Sequence, residues 1–223
     1  MVKVERSFPA PASLAIESRK PNGVYNSPDV MQQLNRDFHN KCYICEWKPL
    51  PDAVPEHMLP HENGRYQDRK FDWNNLFLCC HHCNNMKNRA VYAEGILDCC
   101  RVDPERFLTF RLVSGEVQVG LVDDSRIPDI VTHNTVCLLN EVYNKRNTGI
   151  REIGCDTRVK ELTKEMNVLY GTLLKYRQNR NNRLCRRKLQ SLLSRSSPFA
   201  AFKRNYIRDH SSSYPELVEL ANR

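Results

Sequence analysis

Long apolar runs are missing from this 223-residue chain. None approaches the roughly 18 uninterrupted apolar residues that a membrane span needs, so no membrane role is expected. The first residues, MVKVERSFPAP, lack the apolar core of a secretory leader, and a reducing, cytoplasmic setting is expected instead. Ten cysteines would suit a small secreted disulfide scaffold, but this chain is longer than such scaffolds, and in a reducing compartment paired cysteines more often bind metal. There is no internal repeat. The Asn- and Arg-biased stretch 178–187 is too short to count as low complexity. Acid is missing from one region. Residues 166–208 hold no Asp or Glu and eleven cations: Lys175, Arg177, Arg180, Arg183, Arg186, Arg187, Lys188, Arg195, Lys203, Arg204 and Arg208. The rest of the chain sets 23 basic against 26 acidic residues, so this segment carries the whole formal excess of +8. A run of one sign points to a polyanionic partner, nucleic acid or an acidic protein, more than to an ordinary solvated helix face.

What is present begins with two C-x2-C pairs, Cys42/Cys45 and Cys80/Cys83. Each pair can supply two thiolates from one tight turn, and two turns complete a tetrahedral zinc site. Thirty-four residues separate Cys45 from Cys80, longer than in a plain zinc ribbon, so something is inserted between the knuckles. Cys79 is a rival to Cys80 and would give the less usual C-x3-C. Cys99, Cys100, Cys137, Cys155 and Cys185 have no partner spacing and read as small buried hydrophobes.

Residues 1–25 are Pro-rich and expected to be irregular. SPDVMQQLNRDFHN reads as a helix, with Ser27 as N-cap, Pro28 in the first turn and an apolar stripe of Val30, Met31, Leu34 and Phe38. PEHMLP and WNNLFLCC have strand character, ENGRYQDRKF reads as a polar loop and HHCNNMKNRAVYAEGIL as a helix. RFLTFRLV and EVQVGLV flank Ser114-Gly115, a two-residue hairpin turn. From Thr157 the pattern is helical, with Val159, Leu162, Met166, Leu169, Leu173 and Tyr176 on one stripe. A basic helix follows near 184–193, SSPF breaks it, and AAFKRNYIRD reads as a final helix. The 40% hydrophobic content is enough for a core, and the length fits one large domain or two small ones.

The insert between the knuckles thus reads as strand, loop, strand and helix. Asn84 and Asn88, four apart on a helix, share a face. Glu56 and His57 are adjacent on an extended segment and point in opposite directions unless the backbone bends. Glu and Asn oxygens suit a hard divalent ion, and a histidine beside one suits general-base work. His133 and His210 carry no visible constellation.

Cys42-x2-Cys45, Glu56-His57-x2-Pro60, Asn75-Leu76 and Cys80-x2-Cys83-Asn84-x2-Lys87 together resemble the zinc-stabilised HNH (His-Me finger) nucleases over about 47 residues. The register from Asn75 to Asn84 selects Cys80 over Cys79. Many members of that family have His or Asp where Glu56 stands, and His where Asn84 and Asn88 stand. The resemblance implies a ββα-metal core, structural zinc on the four cysteines and a catalytic magnesium or manganese on Glu56, Asn84 and Asn88. It makes His57 the general base and Asn75 the residue that orients it. Lys87, Arg89 and His61 are candidates to contact phosphate. His81 and His82, between zinc ligands, are expected to be exposed or to support the ligands from behind.

ERSFPAPASL, FDWNNLFLCCHHCNNMKN and THNTVCLLNEVYNKR are further similar to the HNH subunit of Septu-type anti-phage systems, also found with some retrons. That similarity implies an ABC/SMC-type ATPase partner and, in a retron setting, a reverse transcriptase with its nucleic acid. The expected fold is α+β and mainly α: an HNH region over 1–105 with its core at 42–90, then a hairpin and helices over 106–223. Arg183, Arg186 and Arg187 are the nucleic-acid-binding candidates of that second region. The expected function is phosphodiester hydrolysis in nucleic acid, DNA before RNA, in anti-phage defence. The alternative is a non-catalytic zinc-knuckle module that binds nucleic acid or a protein.

Overall fold

A computed structural model describes the chain except at residues 51, 63, 64, 124, 126 and 223. The architecture is α+β and mainly helical, with two separate two-stranded antiparallel sheets among the described residues. No described helix is long and apolar enough to cross a membrane.

The first sheet and the helix after it build the centre. Strand β1 (Ala53–His57) pairs antiparallel with β2 (Leu76–Cys80), His57 opposite Leu76 and Ala53 opposite Cys80. Every residue of β2 is buried, so LFLCC is the floor of the unit. Helix α4 (His81–Lys87) starts without a linker. It is much shorter than the expected helix through Leu97. Asn88 leaves helical geometry at ψ 43°, Arg89 donates from Nε to the Met86 carbonyl, and a 3-10 turn at Ala90–Tyr92 follows. The expected polar loop holds a short helix α3 (Gln67–Lys70); its residues 63 and 64 lie outside the described ones.

The N-terminal segment is more ordered than its prolines suggest. Helix α1 (Ala12–Glu17) was not expected, whereas α2 (Pro28–Asp37) was. Met1, Val2, Val4 and Leu14 are buried. Arg6 donates to the Trp73 and Leu76 carbonyls and lies 4.5 Å over the Trp73 ring, which pins this segment to the start of β2.

The second sheet is the expected hairpin, β3 (Leu108–Val113) and β4 (Glu116–Leu121). Ser114 and Gly115 both have positive φ, 52° and 84°, as a two-residue turn that follows strand twist requires. The sequence reading missed helix α5 (Ile130–Asn144), which packs on β4. Helix α6 (Gly149–Gln178) starts eight residues before the expected Thr157. Its stripe of Leu162, Met166, Leu169, Leu173 and Tyr176 is buried. Helices α7 (Arg183–Leu193), α8 (Ala200–Asp209) and α9 (Pro215–Asn222) complete the chain, and α9 was not expected.

One buried cluster contains residues from both sides of position 105. Polar ties cross the expected boundary as well. Tyr143 donates to the Cys45 carbonyl at 2.7 Å, and Lys41 Nζ to that of Ser197 at 3.1 Å. Glu46, left-handed at φ 60°, accepts from Lys41 Nζ and the Ala201 amide, both at 2.9 Å. Burial pushes its carboxyl up, but the Lys41 and N-terminal ammonium charges outweigh that and hold it at about 2.

The basic segment is divided. Arg195 pairs with Asp103, Lys203 with Glu165, and Arg204 and Arg208 with the two oxygens of Glu105. These four cations are committed to ion pairs within the fold, to α6 and to the turn at 103–105. Lys175, Arg177, Arg180, Arg183, Arg186, Arg187 and Lys188 are exposed, so the exposed cations of the segment gather at the end of α6 and on α7.

Candidate functional site: a cysteine cage beside a histidine cavity

The two knuckles meet. The sulfurs of Cys42, Cys45, Cys80 and Cys83 lie within 4.8 Å of one another, and all four residues are buried. Tetrahedral zinc bonds of about 2.3 Å set sulfurs about 3.8 Å apart, and Cys45 and Cys80 stand at 3.9 Å. The four could hold a structural zinc. Cys79 is also buried and lies 3.8 Å from Cys42, but it is not one of the four sulfurs that all lie within reach of one another.

Four thiolates around a divalent ion leave a net negative charge in a buried place. Arg158, only 3% exposed, answers it. Its Nη2 lies 2.8 Å from Cys80 Sγ, and its guanidinium sits 5.2 Å over the Trp47 ring. Burial works against its charge, and the cysteine cluster more than restores it. Arg158 belongs to α6, seventy-eight residues from Cys80, and the sequence carried no signal for it beyond an unpaired basic residue near an apolar stripe. His82 is half-buried with Nε2 3.0 Å from the Val142 carbonyl, and burial, first among its causes, pushes it down to about 4. His81 is exposed.

On the other flank of α4 is a cavity of about 230 Å³ lined by Tyr25, Glu56, His57, His61, Asn84 and Asn88, among others. The i, i+4 rule sorts the helix: Cys83 and Lys87 turn inward and are buried, while Asn84 and Asn88 flank the cavity. Glu56 and His57, adjacent on β1, both line this cavity. Glu56 is 5% exposed. His57, at the open end of β1, meets the rings of Tyr25 and His61, both at 4.5 Å.

His57 Nε2 lies 3.0 Å from the Lys70 carbonyl. A carbonyl only accepts, so Nε2 carries the proton and Nδ1 keeps its lone pair. Burial, foremost, pushes His57 down to about 4; the Lys70 bond opposes this and the charges of His61, Lys87 and Lys70 add to it. The ring is therefore neutral near pH 7. Asn75 builds the frame around it. Its Oδ1 accepts from the Leu59 amide at 2.8 Å, its Nδ2 donates to the Leu59 and Arg69 carbonyls at 2.9 Å, and its own carbonyl accepts from Met58 at 2.9 Å. It clasps both ends of the 58–70 loop, one peptide away from the carbonyl that holds His57.

Three of the expected site residues are engaged within the protein. Lys87 does not face a phosphate: it is 5% exposed, with Nζ 2.6 Å from Glu56 Oε1 and 3.0 and 2.8 Å from the His57 and Met58 carbonyls. A buried ammonium needs such partners. Glu56 accordingly does not stand free for a metal, since Lys87 takes one oxygen and the Tyr43 hydroxyl donates to the other at 2.6 Å. Burial raises its carboxyl against the pull of Lys87. Arg89 pairs with Glu141 on α5, so it too is engaged. Arg183, Arg186 and Arg187 are exposed on α7, which packs on α6, α8 and α9.

In comparison with known proteins, no family model matches the chain and no curated protein matches it.

Proposed function

We propose that the chain is a metal-dependent endonuclease of the HNH kind, hydrolysing phosphodiester bonds of nucleic acid, with DNA favoured. One observation carries the reading. A neutral histidine, its ring fixed through Nε2 by a backbone carbonyl, lines a cavity together with two asparagine amides and a carboxylate. His57 removes a proton from water through Nδ1, and the water oxygen attacks phosphorus in line as the bond to the leaving oxygen breaks. Asn75 keeps the loop and the Lys70 carbonyl in register, so the Nδ1 lone pair stays aimed. The donor set fits a hard cation. Asn84 and Asn88 offer amide oxygens, and each Glu56 oxygen keeps a lone pair beyond its present hydrogen bond. Magnesium or manganese bound there would offset the charge that develops on the phosphoryl and leaving oxygens. Such ions are commonly held by one or two protein oxygens, waters and the substrate's own phosphate. That suits a carboxylate already shared with Lys87 and implies weak binding before substrate arrives.

The similarity to Septu-type subunits supports a place as effector nuclease in anti-phage defence, controlled by an ABC/SMC-type ATPase. The second reading, a zinc-knuckle binding module without catalysis, is favoured by the capture of Glu56 by Lys87 and Tyr43. The experiment that separates them is cleavage by the chain with its co-encoded ATPase, across a magnesium titration, with His57→Ala beside it. Activity lost in a folded, zinc-loaded His57→Ala chain supports the nuclease; equal activity of the two overturns it.

A further inference from the structure

The basic segment carries rings as well as cations. Tyr170 is on α6, Tyr206 on α8, and His210 follows α8 directly. The Tyr206 and His210 rings are stacked, with centroids 4.0 Å apart and 24° between their planes, since residues four apart on a helix lie one above the other. Tyr170 meets Tyr206 at 4.9 Å and 58°. Tyr170 and Tyr206 are half-buried and His210 is exposed, so the series ends in solvent. The Tyr206 carbonyl, 2.8 Å from His210 Nδ1, fixes the outermost ring.

The acids nearby are engaged. Asp209 accepts from Arg111 and Asn205, and Glu216 from Tyr176 and Arg180. Arg177 lies seven residues beyond Tyr170, on the same face of α6 two turns on. It is exposed, forms no hydrogen bond or ion pair among the described residues, and is close enough for its charge to act on Tyr206. Arg186 acts in the same way on Tyr176 and Glu216.

An exposed ring face beside the guanidinium of Arg177 offers the two things a single strand needs, stacking for its bases and a cation for its phosphates. A duplex keeps its base faces inside its own stack and would use only the cations. An acidic protein would likewise leave the rings idle. The geometry points to the surface of Tyr170, Tyr206, His210 and Arg177 as a platform for single-stranded nucleic acid. This deepens the proposed function by naming the form of nucleic acid the chain holds, and it rests on that reading for its purpose, although binding is measurable without cleavage.

The test uses the zinc-loaded His57→Ala chain, which keeps the platform and removes the base. It is titrated by fluorescence anisotropy against labelled oligo-dT of about 20 nucleotides and a hairpin duplex with as many phosphates, at about 50 and 200 mM salt. The single strand is expected to bind tighter. His210→Ala and Tyr206→Leu should each weaken it about tenfold and leave the duplex unchanged. Arg177→Gln should weaken both and lower the single-strand salt slope by about 0.7. Because His210 is exposed, its loss does not threaten folding. Equal binding of strand and duplex, indifference to His210→Ala, or no binding of either by a folded chain each overturns the platform, the last in favour of a protein partner. Cleavage by the wild-type chain with its ATPase is scored separately, so an active nuclease without a platform and a platform without a nuclease are distinct results.

Discussion

Cys83 and Asn84 are neighbours on α4 but belong to two differently built places. The cysteine cage is closed: four buried sulfurs, a buried arginine supplying charge, and no coordination position left for a substrate. The histidine cavity is open and lined by oxygen and nitrogen donors. Its Glu56 carboxylate is partly neutralised by Lys87, and His57 is kept neutral. The cage has soft ligands, no vacancy and compensated charge, which is what stability requires. The cavity has hard donors, room and an available lone pair, which is what chemistry on a phosphate requires. One short helix serves both because successive residues are about 100° apart around its axis.

The contrast breaks most sharply if the cage is removed. Cys83→Ser, or exhaustive chelation, should release about one zinc per chain and abolish cooperative unfolding, since structural zinc contributes roughly 10 kcal/mol or more in small zinc folds. Metal analysis with thermal denaturation reads this, and an unchanged melting transition would show that the cage is not structural. In the cavity, His57→Ala should lower cleavage roughly 10²–10⁴-fold with zinc content and melting temperature unaltered, measured with any ATPase encoded alongside present.

Lys87→Met tests which side Lys87 belongs to. A buried carboxylate stripped of its partner should cost about 3–5 kcal/mol, read by urea titration, and adding Glu56→Gln should return much of that. A folded, fully stable Lys87→Met chain that merely binds substrate weakly would restore Lys87 to phosphate. The division of the basic segment gives a smaller contrast. Arg183→Glu, Arg186→Glu and Arg187→Glu together should weaken nucleic-acid binding and flatten its salt dependence while leaving stability within about 0.5 kcal/mol. Retained nucleic acid with loss of the ATPase would make α7 an assembly surface.

The smallest effect sits at α5. Asp129 Oδ1 accepts from the Val131 and Thr132 amides at 3.0 Å, and the Thr132 hydrogen bonds, foremost, hold its carboxyl below the usual range. Its contribution is fully present above the ordinary carboxylate value and is lost as pH falls through the lowered folded value. Asp129→Ala should cost about 1 kcal/mol at pH 7 and less once the wild-type carboxyl is protonated, since a neutral carboxyl still caps but without its charge. Melts at both pH values decide it.

Short-range geometry made much of this chain legible in its sequence. C-x2-C spacing, the Ser114-Gly115 turn, the stripe from Leu162 to Tyr176, and the pairing of Asn84 with Asn88 follow from the period of a turn, strand or helix and need no knowledge of what packs opposite. Strand alternation alone turns Glu56 and His57 apart unless the backbone bends, and in the fold both line one cavity. Tertiary structure decided where charge ended. Lys87 reads as a surface cation until Glu56 and two carbonyls close around it. Arg158 is ordinary until α6 brings it to Cys80, and Arg204 and Arg208 look like part of a basic surface until they meet Glu105, about a hundred residues earlier. Helix α5 went unread because it is apolar on several sides, packing on β4, α4 and α6, and so shows no single stripe. Tyr206 and His210 are stacked through their i, i+4 spacing, but Tyr170 joins them only when α8 lies on α6. Pattern records which face a residue takes on its own element. Whether a charge or a ring there is satisfied depends on groups far away in the chain, and only the packed fold brings those groups into reach.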